Sequence, residues 1–171
     1  MKRKISVFFL SLCGFTGLWA QGGWDVVPCL ELCQIVTGQL EPANVLTRNR
    51  GYKLVNNYPS GPGFVTFYAK NVVVNPKTSE TIRLLKEGVS HTVMCARYTG
   101  YPGSVLVSFY SPANAQKFKA QMQELGFKLT GEKEKGYDVW RIEGLRIIEG
   151  CNVQTDKYKT YFFFIKDENQ P

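Results

Sequence analysis

The stretch that most constrains the fold is Ser104–Leu129, SVLVSFYSPANAQKFKAQMQELGFKL. Ser104–Tyr110 is rich in β-formers and predicts a strand. Ser111 is placed to cap a helix, and Pro112 falls at the first helical position, where its missing N–H costs nothing. Ala115, Phe118, Met122 and Leu125 recur at steps of three and four, so they form one apolar stripe. Gln116, Lys117, Gln121, Gln123 and Glu124 cover the rest of that helix. Gly126 supplies a left-handed stop, and Phe127-Lys128-Leu129 then alternates as a strand. A helix with one apolar stripe between two strands needs a sheet to bury it.

Glu41–Leu54, EPANVLTRNRGYKL, echoes this unit. Pro42, Ala43 and Asn44 take the places of Pro112, Ala113 and Asn114, and Gly51-Tyr52-Lys53-Leu54 matches Gly126-Phe127-Lys128-Leu129. A third echo relates Ile82–Gly88, IRLLKEG, to Leu145–Gly150, LRIIEG. The echoes keep one order, which points to an internal duplication. The expected fold is α+β, with antiparallel sheet and helices packed on one face. Two tandem related halves, residues 21–103 and 104–171, would share one compact domain.

The other elements follow from pattern and punctuation. Trp24–Gln39 predicts a first helix, with Asp25 as cap and Gly38 as stop. Gly51–Tyr58, Phe64–Val74, Val89–Thr99, Phe127–Thr130, Tyr137–Ile142, Leu145–Gly150 and Lys157–Lys166 predict strands, with Gly131–Gly136 as a polar turn. Ile82–Gly88 reads either as a short helix stopped by Gly88 or as a strand, and its likeness to Leu145–Gly150 favours the strand. Phe162, Phe163 and Phe164 leave both faces of the last strand apolar, which predicts a central position.

Residues 1–20 have the layout of a cleaved secretory signal: Lys2, Arg3 and Lys4, then an apolar run over Ile5–Trp19, then Ala20. A lipid anchor on Cys13 is the alternative, but Leu12 is bulky where such sites carry a small residue. The run is short for a membrane span, and no second one follows. Loss of the three early cations lowers the formal charge from +7 to +4. That mild excess does not argue for a nucleic-acid partner and fits weak attraction to an anionic surface. The expected location is periplasmic or extracellular.

Cys29, Cys33, Cys95 and Cys151 remain after cleavage. An even count in an exported chain predicts disulfides. Cys29 and Cys33 share a helix face one turn apart, where a direct bond would distort the helix. The expectation is that each pairs outward, with Cys95 and Cys151. Buried free thiols are the alternative.

The segment Val105–Ser111 with Asn114-Ala115 and Leu125-Gly126-Phe127 resembles half of the SPOR (sporulation-related repeat) pattern. That family has a strand ending in a small residue and Phe, an Asn-Ala opening a helix, and Gly-Phe or Gly-Tyr after it. The resemblance implies binding of peptidoglycan strands on an exposed sheet face. It covers about 25 residues, and no second helix follows Tyr137–Ile142 where the family's second half has one.

Catalytic constellations are not evident. The only histidine, His91, lies on a strand beside Ser90 and reads as half-exposed; neighbours on a strand point to opposite faces, so the two cannot form a dyad. Cys29-x3-Cys33 and His91-x3-Cys95 resemble metal-ligand spacings, but an extended strand holds His91 and Cys95 about 13 Å apart. No metal is therefore assigned. Glu132, Glu134, Asp138, Glu143 and Glu149 lie mostly in lysine-rich turns or strand ends, which is poor ground for a hydrolase. No cofactor fingerprint is present. The expectation is a non-enzymatic binding protein whose partner is an envelope protein or a glycan; a secreted inhibitor of another protein and a small hydrolase are the alternatives. Tyr110, Tyr137, Trp140 and Arg141 are the candidate surface residues. On YDVWRI, Trp140 shares a face with Asp138 and Ile142, opposite Tyr137, Val139 and Arg141.

Overall fold

The computed structural model describes residues 26–61, 63–86, 88–98, 101–154 and 158–169. Eight strands form one antiparallel sheet: β1 (Lys53–Ser60), β2 (Gly63–Lys70), β5 (His91–Tyr98), β6 (Tyr101–Phe109), β7 (Lys128–Glu134), β8 (Tyr137–Ile142), β9 (Leu145–Gln154) and β10 (Tyr158–Asp167). Their order is β1-β2-β5-β6-β10-β9-β8-β7. Strands β3 (Val72–Val74) and β4 (Thr81–Leu84) pair as a separate hairpin. The helices are α1 (Cys29–Val36) and α2 (Pro112–Glu124), and Ala43–Asn49 winds as a π-helix. The fold is α+β. No helix among the described residues is long and apolar enough to cross a membrane.

Helix α2 follows its proline and glycine signals. Ser111 sits extended at the N-cap position, but its side chain makes no capping hydrogen bond; Pro112 opens the helix, and Gly126 adopts φ 95° just beyond its end. Ala115, Phe118 and Met122 are buried. Gln121 also turns inward, against the polar side expected for it: its Oε1 accepts from the Cys29 N–H at 2.9 Å. The first N–H groups of a helix have no partner within it, so α2 caps α1 from a distance. Helix α1 is shorter than Trp24–Gln39 because Pro28 is extended and immediately precedes it, and Gly38 turns left-handed after it. Trp24 and the expected cap Asp25 lie outside the described residues.

Both helices contact β6 and β10, the middle pair of the sheet. Phe118 is fully buried, with its ring centroid 5.3 Å from Phe109 and 4.8 Å from Phe163. Strand β10 is central, as the Phe162-Phe163-Phe164 run predicts. Phe163 is buried on one face, and Phe162 and Phe164 are half-buried on the other.

Several expectations need correction. Phe64–Val74 is not one strand: Asn71 takes φ 55° and ends β2 after Lys70. Asparagine tolerates that conformation better than most residues, which lets the chain leave the sheet there. Ile82–Gly88 is therefore not the counterpart of Leu145–Gly150. The former lies in and after β4, outside the main sheet, and the latter opens β9 within it. Strand β6 runs across the expected boundary at 103/104. Strand β7 continues to Glu134, and only Lys135 (φ 52°) and Gly136 (φ 87°) form its turn. Two left-handed residues are what a tight hairpin demands.

Candidate interaction surface

Alternation divides the sheet into two faces. The first carries Val93, Val105, Val107, Phe109, Ile147, Phe163 and Ile165, all buried in the core with residues of α1 and α2. The second carries their neighbours. Cross-strand register places Phe67, Met94, Leu106, Phe164, Ile148 and Val139 directly opposite one another on β2, β5, β6, β10, β9 and β8. This is an unbroken apolar row across six strands. Phe67, Ile148 and Val139 are buried, whereas Met94, Leu106 and Phe164 are half-buried.

The β3–β4 hairpin is tied to residues of this second face in the first half of the chain. Asn56 Nδ2 donates to the Pro76 carbonyl at 2.7 Å, and the Thr81 and Tyr110 hydroxyls lie 2.6 Å apart. Asn56 is opposite Phe67, and Tyr110 follows Ser108, so both belong to the second face.

Tyr137 and Phe162 meet edge to face above Gly150, with centroids 5.0 Å apart. A Cβ on Gly150 would run into both rings. Glycine at 150 is thus what lets the two aromatics lie on the sheet. The Tyr137 hydroxyl donates to Asn152 Oδ1 at 2.8 Å. Tyr110 packs against Tyr158 at 6.2 Å, and burial raises its hydroxyl pKa. Arg141 binds Glu132 through Nη1 and Glu168 through Nε, and these hydrogen bonds raise its pKa further.

Three of the four residues singled out in the sequence therefore lie on the second face: Tyr110, Tyr137 and Arg141. Trp140 does not. It is on the first face, 5% exposed, with Lys119 Nζ 5.1 Å from its ring centre and Nε1 donating to Glu149 at 2.8 Å. Its expected surface role is corrected by its parity, which it shares with buried Ile147 opposite it.

Asp138 and Glu149 are also directly opposite each other on the first face. With Gln116, Cys151 and Tyr161 they line a cleft of about 330 Å³. Each carboxylate is already matched: Lys133 binds Asp138, and Lys119 and Trp140 bind Glu149.

His91 is fully buried, not half-exposed, because β5 lies inside the sheet and Tyr52 and Phe109 flank the ring. Its Nδ1 lies 2.9 Å from the Val89 carbonyl, so Nδ1 is the donor. Ser90 Oγ donates to the Asn71 and Lys86 carbonyls, away from His91.

The four cysteines among the described residues, Cys29, Cys33, Cys95 and Cys151, are thiols, which corrects the outward pairing expected of them. Cys29, Cys33 and Cys95 belong to the core, while Cys151 stands exposed on β9. Burial holds Cys29 well above the usual thiol range and pushes Cys95 up to about 12. In the chain from Gln21 onward, iodoacetamide should therefore label Cys151 in the native protein, and Cys29, Cys33 and Cys95 only after unfolding, as read by intact mass. Native labelling of two or more sites would contradict this arrangement.

Comparison with protein-family models, curated proteins and solved structures finds no match. The functional reading rests on the surface itself.

Proposed function

We propose that this is an exported, non-catalytic binding protein that recognises another protein through the second face of its sheet. The observation that carries this is the cross-strand apolar row, whose members Met94, Leu106 and Phe164 remain accessible while α1 and α2 pack on the first face. A continuous apolar row that is mostly non-aromatic suits an apolar protein surface better than a sugar, whose hydroxyls would lose water against it.

We further read the chain as a duplication. Each half supplies a helical segment and four consecutive strands of the main sheet, and the strand order is mirrored about the β6–β10 pair. On that reading β3–β4 is an insertion in the first half, and the accessible part of the row, Met94, Leu106 and Phe164, lies on the central strands β5, β6 and β10. Tyr137, Asn152, Tyr110 and Tyr158 sit together towards one end of the face and support a second reading, glycan binding through aromatic rings and an amide.

One experiment separates the readings. The purified protein, a Phe164→Asp variant and a Leu129→Asp control are each immobilised. They are then challenged with envelope extract and with protein-free cell-wall sacculi. The wild type and Leu129→Asp should retain the same envelope protein, and Phe164→Asp should lose it. Retention on sacculi alone, abolished by Tyr137→Ala, would establish the glycan reading instead. Retention of neither would end both.

A further inference from the structure

The residues one pleat repeat beyond the apolar row are basic. Lys166, Arg146, Arg141 and Lys128 stand directly opposite one another on β10, β9, β8 and β7. Adjacent strands lie about 4.8 Å apart, so the four cations form a line about 14 Å long. Like charges directly opposite in a sheet destabilise it. Nothing in the packing of the first face requires them, since all four point the other way.

The chain offsets this repulsion only in part. Arg141 binds Glu132 at 2.7 Å and Glu168 at 2.9 Å, and Arg146 binds Glu134 at 3.0 Å. Those three carboxylates face four cations. Lys128 and Lys166 make no ion pair among the described residues, and Lys128 is exposed. The Glu132 side chain is 57% exposed. Exposed ion pairs contribute little, so an incoming carboxylate can replace Glu132 at little loss.

We propose that the partner supplies an acidic segment. An apolar anchor of that segment seats on Leu106, Phe162 and Phe164. Its carboxylates then run along the line from Lys166 to Lys128. The proposal rests on the reading that the second face binds protein, and it specifies the partner's chemistry. Charge complementarity selects the acidic occupant: bound carboxylates turn an unfavourable row of like charges into attraction and speed encounter. Accessible apolar side chains beside the first cation select a protein segment over a polyanionic glycan, which offers no anchor for Phe164 and Leu106.

The probe is a pair of peptides titrated into the isotopically labelled purified protein and followed by amide shifts. One carries Leu-Phe-Leu followed by five glutamates, the other the same anchor followed by five lysines. At low salt the glutamate peptide should bind at least tenfold tighter. It should shift the amides of Lys128, Arg141, Arg146, Phe164 and Lys166. The preference should vanish in Lys128→Gln/Lys166→Gln, whose spectrum reports whether the fold is intact, and should weaken steeply as salt is raised. Phe164→Asp should weaken both peptides. Equal binding of the two, binding of neither, or shifts confined to another surface would overturn the acidic-segment proposal. The protein-binding reading falls separately, if Phe164→Asp leaves capture of the envelope protein unchanged.

Discussion

Replacing Phe118 by alanine is expected to remove about 3–5 kcal/mol of stability, the range for emptying a buried aromatic site. Phe118 is the side chain through which α2 holds the sheet. It touches Phe109 on β6 and Phe163 on β10, the two strands on which both helices rest. The void cannot be refilled readily, because Met122, Ala115 and Phe109 around it are themselves buried. For a chain of this size each kcal/mol moves the thermal midpoint by about 2–4 °C, so the melting curve should fall by on the order of 10 °C. Phe118→Leu keeps most of the volume and should lose roughly half as much or less. Urea and thermal unfolding followed by circular dichroism give both values. A Phe118→Ala protein within about 1 kcal/mol of wild type would mean that α2 does not hold the sheet in this way.

That helix was also the most legible element of the sequence, and the reason is local. Its opening proline, its stripe and its glycine stop all fall within fifteen consecutive residues, Pro112–Gly126, and each acts on its neighbours. The central place of β10 was legible for a similar reason: three phenylalanines in a row cannot all face one side of a strand. Asn71 was not legible. A single asparagine within FVTFYAKNVVV reads as a polar strand residue, and only its left-handed backbone shows that the chain leaves the sheet there. Gln121 was misplaced because its partner, the Cys29 N–H, is 92 residues away. Helical periodicity carries no information about such a contact.

The candidate surface shows the same divide more sharply. Parity along YDVWRI separated Tyr137, Val139 and Arg141 from Trp140 without any structure. Which set faces the helices depends on where the chain places α1 and α2, and no short pattern records that. The basic row is still further from view. Lys128, Arg141, Arg146 and Lys166 are scattered through the second half of the sequence, and each alone reads as an ordinary strand-end charge. They become a line only once the registers of β7, β8, β9 and β10 are set. Register is fixed by turns and by the apolar face together, so a property of four strands emerges from many local choices.

Trp140 decides between the two ways of reading this sheet, and its substitution should have the second large effect. An exposed binding tryptophan can be truncated with little change in stability, within about 0.5 kcal/mol. Trp140→Ala should instead cost about 3–5 kcal/mol, because it empties a buried indole site. It also removes the Nε1 donor to Glu149 and the ring beneath Lys119. Trp140→Phe keeps much of the ring and loses the hydrogen bond to a charged acceptor, so a loss of about 1.5–3 kcal/mol is expected. Urea unfolding of the two variants separates packing from polar contact. Binding supplies the contrast: a folded Trp140→Phe protein should retain its partner, whereas Phe164→Asp, on the other face, should not. If Trp140→Phe abolished binding while leaving stability untouched, the indole would be contacting the partner, and the recognition surface would have to lie on the first face beside α2.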